Sequence, residues 1–145
     1  MINQKELDNL FKEIHKVTNV DDIGFHRIQD GRINPIYKTN IGEIDIEQWQ
    51  NAHGQNPVYI EDDRILQEGV NSKKTVVILN TREDKRTTDV ILSFNIESLM
   101  MIPVINLDEV IGFILIVSIG KSHNFTEDHV VKCEALVKKY LPYLI

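Results

Sequence analysis

Two apolar runs, Leu99–Ile105 and Val110–Ser118, stand only a turn apart, and no other feature of the chain narrows its fold so sharply. Each run has the length of a strand. The intervening Asn106-Leu107-Asp108-Glu109 supplies a turn, so the two form an antiparallel pair. Their hydrophobicity is continuous rather than alternating, which means that both faces are covered and that the pair marks the centre of a sheet. A membrane span is excluded on length. Val110 to Ile119 is ten residues and holds Gly112 and Ser118, whereas a spanning helix needs roughly 20.

The flanking segments say what covers the sheet. Leu7, Leu10, Phe11, Ile14 and Val17 recur at helical spacing behind Asn3, with Glu6 at the reciprocal position of a capping box. At the other end Thr126 caps a helix whose first turn holds Glu127 and Asp128, with Val130, Cys133, Val137, Tyr140 and Leu141 on one face. Between the ends, Ile23–Gln29 and Arg32–Lys38 read as a hairpin about Asp30-Gly31. Pro35 places the second of these strands at an edge or at a bulge. Residues 39–74 form a mixed segment. Asp45 caps a short helix through Trp49 that Gly54 stops, Pro57–Ile60 reads as a short strand, and Asp62 or Asp63 opens a second short helix closed by Gly69. Thr75–Leu79 is a β-branched strand, Asn80–Arg86 a charged loop, and Thr87 or Thr88 caps a helix through Phe94. A single domain over residues 1–145 is expected. Its class is α+β, with an antiparallel sheet of five to six strands.

Composition removes several function classes. A net charge of −6 argues against nucleic acid or an anionic membrane as partner, since both require a basic face. The opening residues, Met1 to Glu6, lack the apolar stretch of a signal peptide. Cys133 is the sole cysteine, which excludes an internal disulfide and the usual thiolate metal sites and points to a reducing, cytoplasmic setting. His15, His26, His53, His123 and His129 are scattered without the close spacing of a zinc site, so no metal is expected. No Gly-rich phosphate loop and no Gly-x-Ser-x-Gly elbow is present, and catalysis is not expected.

From Thr75 onward the chain resembles a GAF domain. The resemblance is carried by Thr75–Leu79 leading into Asn80-Thr81-Arg82-Glu83-Asp84, by Phe94-Asn95-Ile96-Glu97-Ser98-Leu99 followed by Met100-Met101-Ile102-Pro103-Val104, by Glu109–Leu115, and by Phe125-Thr126-Glu127-Asp128. It covers about half of the chain by pattern and the remainder by element order. One departure is Asn80, where the family often holds Asp. The resemblance implies a PAS-related cup, with terminal helices on one face of the sheet and short helices and loops as a lid on the other. A PAS-like arrangement is the structural competitor, told apart by the helices at the two ends.

A ligand in such a cup would sit between the sheet and the stretch from Trp49 to Phe94. The candidate apolar walls are Trp49, Tyr59, Phe94 and Met100; the candidate polar groups are Asn80, Thr81, Arg82, Asp84, Arg86 and Ser98. For Trp49 and Phe94 plain core packing is the alternative, and for Arg82 to Arg86 a solvated loop. Of the adjacent Met100 and Met101, only one can face the cup. Ser98 can bond back to the end of the short helix before it.

The family's known chemistries are tested by subtraction. Cyclic-nucleotide binders carry an Asn-Lys…Phe-x-x-x-Asp-Glu pattern, whereas Phe94 here is followed by Ser98, so a cyclic nucleotide is disfavoured. Free methionine sulfoxide reductases of this fold use several cysteines, and a single cysteine disfavours that activity. Bilin-binding members use a pocket cysteine, whereas Cys133 lies on the apolar face of the last helix, so no covalent bilin is expected. Haem is not expected either, although His53 is the best axial candidate. The implied function is a small-molecule-sensing regulatory module that binds a metabolite or an anion and acts in trans on a separate signalling protein. The alternative is a ligand-free interaction module that forms a homodimer through its terminal helices.

Overall fold

The computed structural model describes residues 2–41 and 43–145; Met1 and Gly42, the latter in the mixed segment, lie outside the described residues. Helix α1 (Gln4–Thr18) is capped by Asn3, whose side chain accepts the Glu6 N–H, and ends at Asn19 in the left-handed region. Strands β1 (Asp22–Gln29) and β2 (Arg32–Lys38) close through Asp30 (φ 55°) and Gly31 (φ 74°), the two positive-φ residues of a tight hairpin turn. Helix α2 (Ile46–Gln55) follows, then the two-residue β3 (Val58–Tyr59), a 3-10 turn over Ile60–Asp62, and α3 (Arg64–Ser72). Strand β4 (Val76–Ile78), α4 (Asp89–Ser93), β5 (Ile96–Asn106), β6 (Glu109–Ile119) and α5 (Glu127–Lys139) complete the order, with a 3-10 turn over Leu141–Tyr143.

The six strands form one antiparallel sheet in the order β3-β2-β1-β6-β5-β4. The apolar pair read from the sequence is β5–β6; β5 starts three residues before its apolar run and ends one after it, and β6 extends one residue beyond its run at each end. Its turn is tighter than the sequence suggests, since Leu107 (φ 50°) and Asp108 (φ 65°) make the reversal and Asn106 and Glu109 pair. Pro103 pairs with Phe113, and the irregularity comes one residue later, between Val104 and Ile105. Gly112 has the role expected of a glycine in a central strand, because a Cβ there would lie 2.4 Å from the His26 carbonyl oxygen of β1.

Each face of the sheet carries its own apolar layer. On one, Leu7, Leu10, Phe11 and Ile14 of α1 and Cys133 and Val137 of α5 pack on Phe25, Met100, Ile102, Val104, Ile114 and Ile116. Each of these larger side chains contributes about 1.5–3 kcal/mol by leaving water. On the other face, Ile65 and Leu66 of α3 pack on Leu99, Met101 and Phe113. This matches the expected cup: terminal helices behind the sheet, short helices in front. The centres of both terminal helices' apolar stripes are buried, whereas Val17, Val130, Leu136 and Leu141 are partly buried and Val131 is exposed.

Two helix ends differ from the sequence reading. Gly54 and Gly69 read as stops, yet α2 runs on to Gln55 and α3 to Ser72. Gly69 marks close packing instead, since a Cβ there would lie 2.7 Å from both Met101 Cε and Phe113 Cε1. Lys73, at φ 57°, provides the left-handed ending.

Candidate functional site

Between the sheet and α2, α3 and α4 lies a cavity of about 100 Å³. Its apolar walls include Ile33, Leu66, Ile91, Phe94, Leu99, Met101 and Leu115; its polar end, beside Trp49, holds Asp22, His26, Lys38 and His53, and Asp63 and Thr88 also line the cavity. Strand alternation explains the part from β1. Ile23 and Phe25 point to the terminal helices, while Asp22, Gly24 and His26 point to the cup. Gly24 makes room for the lid, since a Cβ there would be 3.2 Å from Trp49 Cζ2.

Lys38 reaches the same end through a bulge. Phe25 pairs with Tyr37 and His26 with Pro35, leaving Ile36 as the extra residue of β2. The insertion inverts the side-chain parity. Ile33 and Lys38 therefore share the cup face, although their numbering would separate them. The Lys38 ammonium lies 3.3 Å from Asp22 Oδ1 and also donates to the carbonyls of Thr39 (3.1 Å) and Ile44. Asp22 Oδ2 accepts the Glu43 N–H at 3.2 Å. Both side chains are buried. A pair so placed is stable only because its remaining hydrogen-bonding positions are also filled.

Two imidazoles complete the polar end. The His26 ring meets Trp49 edge-on at 4.9 Å and lies 5.1 Å from His53, which is 5.9 Å from Trp49. Burial pushes His26 well below the ordinary histidine range, with His53 nearby adding to the effect. Burial, and then the charge of Arg32, brings His53 down to about 4. Both rings are neutral at pH 7, and neither Nδ1 has a hydrogen-bond partner among the described residues. Asp63 is held up by burial while its Oδ1 accepts the N–H groups of Ile65 and Leu66, capping α3. Thr88 stands at the start of α4, but its side chain makes no capping hydrogen bond and its hydroxyl is buried without a partner among the described residues.

The residues nominated from the sequence divide sharply. Trp49 and Phe94 line the cavity. Met100 does not: it is fully buried against the terminal helices, and Met101 takes the cup side, as alternation requires of neighbours in a strand. Tyr59 lies on the edge strand β3, 41 % exposed. Ser98 does not bond back to the helix before it; its hydroxyl donates to Leu79 O at 2.7 Å and accepts the His123 N–H.

The charged loop is held to itself and to its neighbours, away from the cavity. Asn80 accepts the Arg82 N–H, Arg82 forks onto Glu97 at 2.9 and 3.1 Å, and Arg86 joins Asp84 to Glu68. The Arg86 hydrogen bond holds the Asp84 carboxyl below its usual range. Thr81, fully buried, anchors the loop by donating to Ile96 O at 2.6 Å. The loop is a clamp between α3 and β5.

Sequence reasoning missed Asp22, His26, Lys38, Asp63 and Thr88 as members of one site. Alternation along Ile23–Gln29 would have found His26, since Phe25 is plainly core. Lys38 carried no signal, because the bulge that turns it inward depends on the pairing with β1. Among the described residues, no group of three or more His, Cys, Asp or Glu is placed to hold a metal ion, and no helix is long and apolar enough to cross a membrane. Cys133 is buried behind the sheet, its thiol pushed up to about 11 by desolvation.

A sequence model of the GAF domain matches residues 3–137. No curated protein matches the chain. Among solved structures, the chain is similar to the GAF domain/HD domain protein from Geobacter sulfurreducens, with a TM-score of 0.79 and 11 % identity over 97 % of this chain and 90 % of that one. It is also similar to the GAF domain of a two-component sensor histidine kinase from Bacillus halodurans (TM-score 0.72, 12 % identity, 97 % and 92 % covered). A third is the type II free methionine-R-sulfoxide reductase from Thermoplasma acidophilum (TM-score 0.73, 15 % identity, 97 % and 90 % covered). At such identities the likeness is one of fold.

Proposed function

The chain belongs to the GAF domain family, and we propose that it is a regulatory module that senses a small molecule held between the sheet and the α2–α4 lid. The observation that carries this reading is the cavity itself. A cup that served only as scaffold would be filled by its own side chains, whereas this one leaves about 100 Å³ open, and three residues of its lining carry buried polar atoms without a partner among the described residues. The lid comes from short elements and the floor from long central strands, so a ligand would act by shifting the short elements relative to the sheet. The signal would leave through α1 and α5, which pack on the back of the same sheet, and pass to a separate signalling protein.

The module is proposed to be non-catalytic. Reductases of this fold are among its structural relatives, but here the sole thiol lies behind the sheet, across from the cavity, and is protonated at neutral pH.

Native mass spectrometry of freshly purified protein tests the sensing reading, together with Trp49 fluorescence against a panel of small metabolites. A stoichiometric adduct lost on denaturation, or a saturable Trp49 response, is expected. An adduct-free mass with an unresponsive Trp49 would return the chain to the ligand-free interaction reading.

A further inference from the structure

We infer, resting on the sensing reading above, that the cavity takes a compact uncharged molecule presenting a hydrogen-bond donor beside an acceptor, of which an N–H azole is the simplest. The argument begins with which polar atoms of the lining are already occupied. Asp22 is bonded through both oxygens, and the three donors of Lys38 go to Asp22, Thr39 O and Ile44 O. Asp63 spends one oxygen on two N–H groups of α3. Every charged group in the lining is therefore engaged. An anion would find no free cation there and would have to break the Asp22–Lys38 pair to obtain one. This removes the anion from the ligands considered for the cup and keeps the small metabolite.

The unoccupied groups are of another kind. Five buried side-chain polar atoms lack a partner among the described residues, and three of them belong to residues lining this cavity: His26 Nδ1, His53 Nδ1 and Thr88 Oγ1. All three are neutral. A neutral imidazole offers one donor and one acceptor nitrogen, and a hydroxyl offers both roles. Such a set is satisfied by a ligand that can donate and accept over a short span, and it gains nothing from charge. The shape agrees. Trp49 and His26 stand edge to face at 4.9 Å and both line the cavity, so aromatic rings form part of its wall. A cavity of about 150 Å³ accommodates benzene, so about 100 Å³ suits a small ring.

The test uses the whole chain, labelled with ¹⁵N, titrated separately with pyrazole, thiophene and acetate. Pyrazole carries adjacent donor and acceptor, thiophene is a ring of similar size without the donor, and acetate is the anion. Pyrazole is expected to bind about tenfold more tightly than thiophene, one net hydrogen bond's worth. It should shift the ring nitrogens of His26 and His53 in long-range ¹H–¹⁵N spectra, while acetate leaves them unmoved. His53→Leu, on the lid, should reduce pyrazole to the level of thiophene and leave thiophene unchanged. If that variant does not fold, the wild-type ring-nitrogen shifts decide. Equal affinity for pyrazole and thiophene, or tighter binding of acetate in the cavity, overturns the inference and leaves the sensing reading standing. Failure of all three probes overturns the inference; only an adduct-free mass with an unresponsive Trp49 overturns the sensing reading too.

Discussion

The Lys38 ammonium sits 3.3 Å from the Asp22 carboxylate at the polar end of the cavity, and both side chains are almost wholly buried. Their meeting depends on the extra residue of β2 at Ile36, without which Lys38 would face the terminal helices.

Because the pair is buried, breaking it should cost far more than it contributes as a pair. Lys38→Met or Asp22→Leu alone leaves an uncompensated charge and should lower unfolding free energy by about 3–5 kcal/mol, whereas the double variant should recover most of that loss. Urea unfolding of the four proteins measures it. Single losses below about 1 kcal/mol would mean that the pair is solvated.

Three glycines should rank in a fixed order on replacement by alanine. At Gly112 the new Cβ meets backbone, the His26 carbonyl at 2.4 Å, and the β1–β6 pairing must give way. At Gly69 it meets side chains, Met101 and Phe113, both at 2.7 Å, and a loss of about 1–3 kcal/mol is expected. At Gly54, inside α2, nothing lies within 4 Å, so alanine should stabilise by about 0.5–1 kcal/mol. Melting temperatures of the three variants check the order.

Stability should decline on the acid side of neutrality. Burial holds His53 at about 4 against an ordinary 6.5 and pushes His26 down too. A histidine whose folded pKa is depressed leaves stability intact above the unfolded value and removes it as pH falls below that value, because only the unfolded chain takes up the proton. His53 should contribute a loss on the order of 2 kcal/mol by pH 4, allowing for its partial exposure. Asp63, held up by burial, works in the opposite direction. Thermal unfolding from pH 7.5 to 4.5 should show the decline, and His53→Asn should flatten it; a flat wild-type profile contradicts the burial of the two rings.

Cys133 should be silent in the folded protein. Its thiol is buried and pushed up to about 11, so a thiol reagent at pH 8 should label it only as fast as the chain unfolds. Labelling followed through a denaturant series checks this; rapid reaction in the native state would contradict it.

How legible was this from the chain alone? The central hairpin, both terminal helices and the Asp30-Gly31 turn announce themselves through local chemistry, namely run length, a 3.6-residue period and a dipeptide that tolerates positive φ. The family resemblance supplied the cup. The site was harder, because charge drew attention to Arg82, Asp84 and Arg86, which bond to one another and to Glu68 and Glu97 outside the cavity. Its real polar lining comes from residues far apart in sequence. Asp22 and Lys38 look like ordinary strand-end charges, His26 is one of five scattered histidines, and Thr88 reads as a cap. Gly69 read as a stop because local propensity cannot see Phe113 across the sheet.

The strand order carries a consequence for how the cavity comes into being. Hairpins β1–β2 and β5–β6 close over short loops, but the midline of the sheet pairs Asp22 with Val117, about two thirds of the chain apart. Contact-order reasoning places that seam after the hairpins in time. Gly24 and His26 stand on one side of it, Leu115 and Val117 on the other, and all four line the cavity. On that reasoning the cavity closes when the seam does, and any molecule lodged there would act as a rivet across the two halves of the chain.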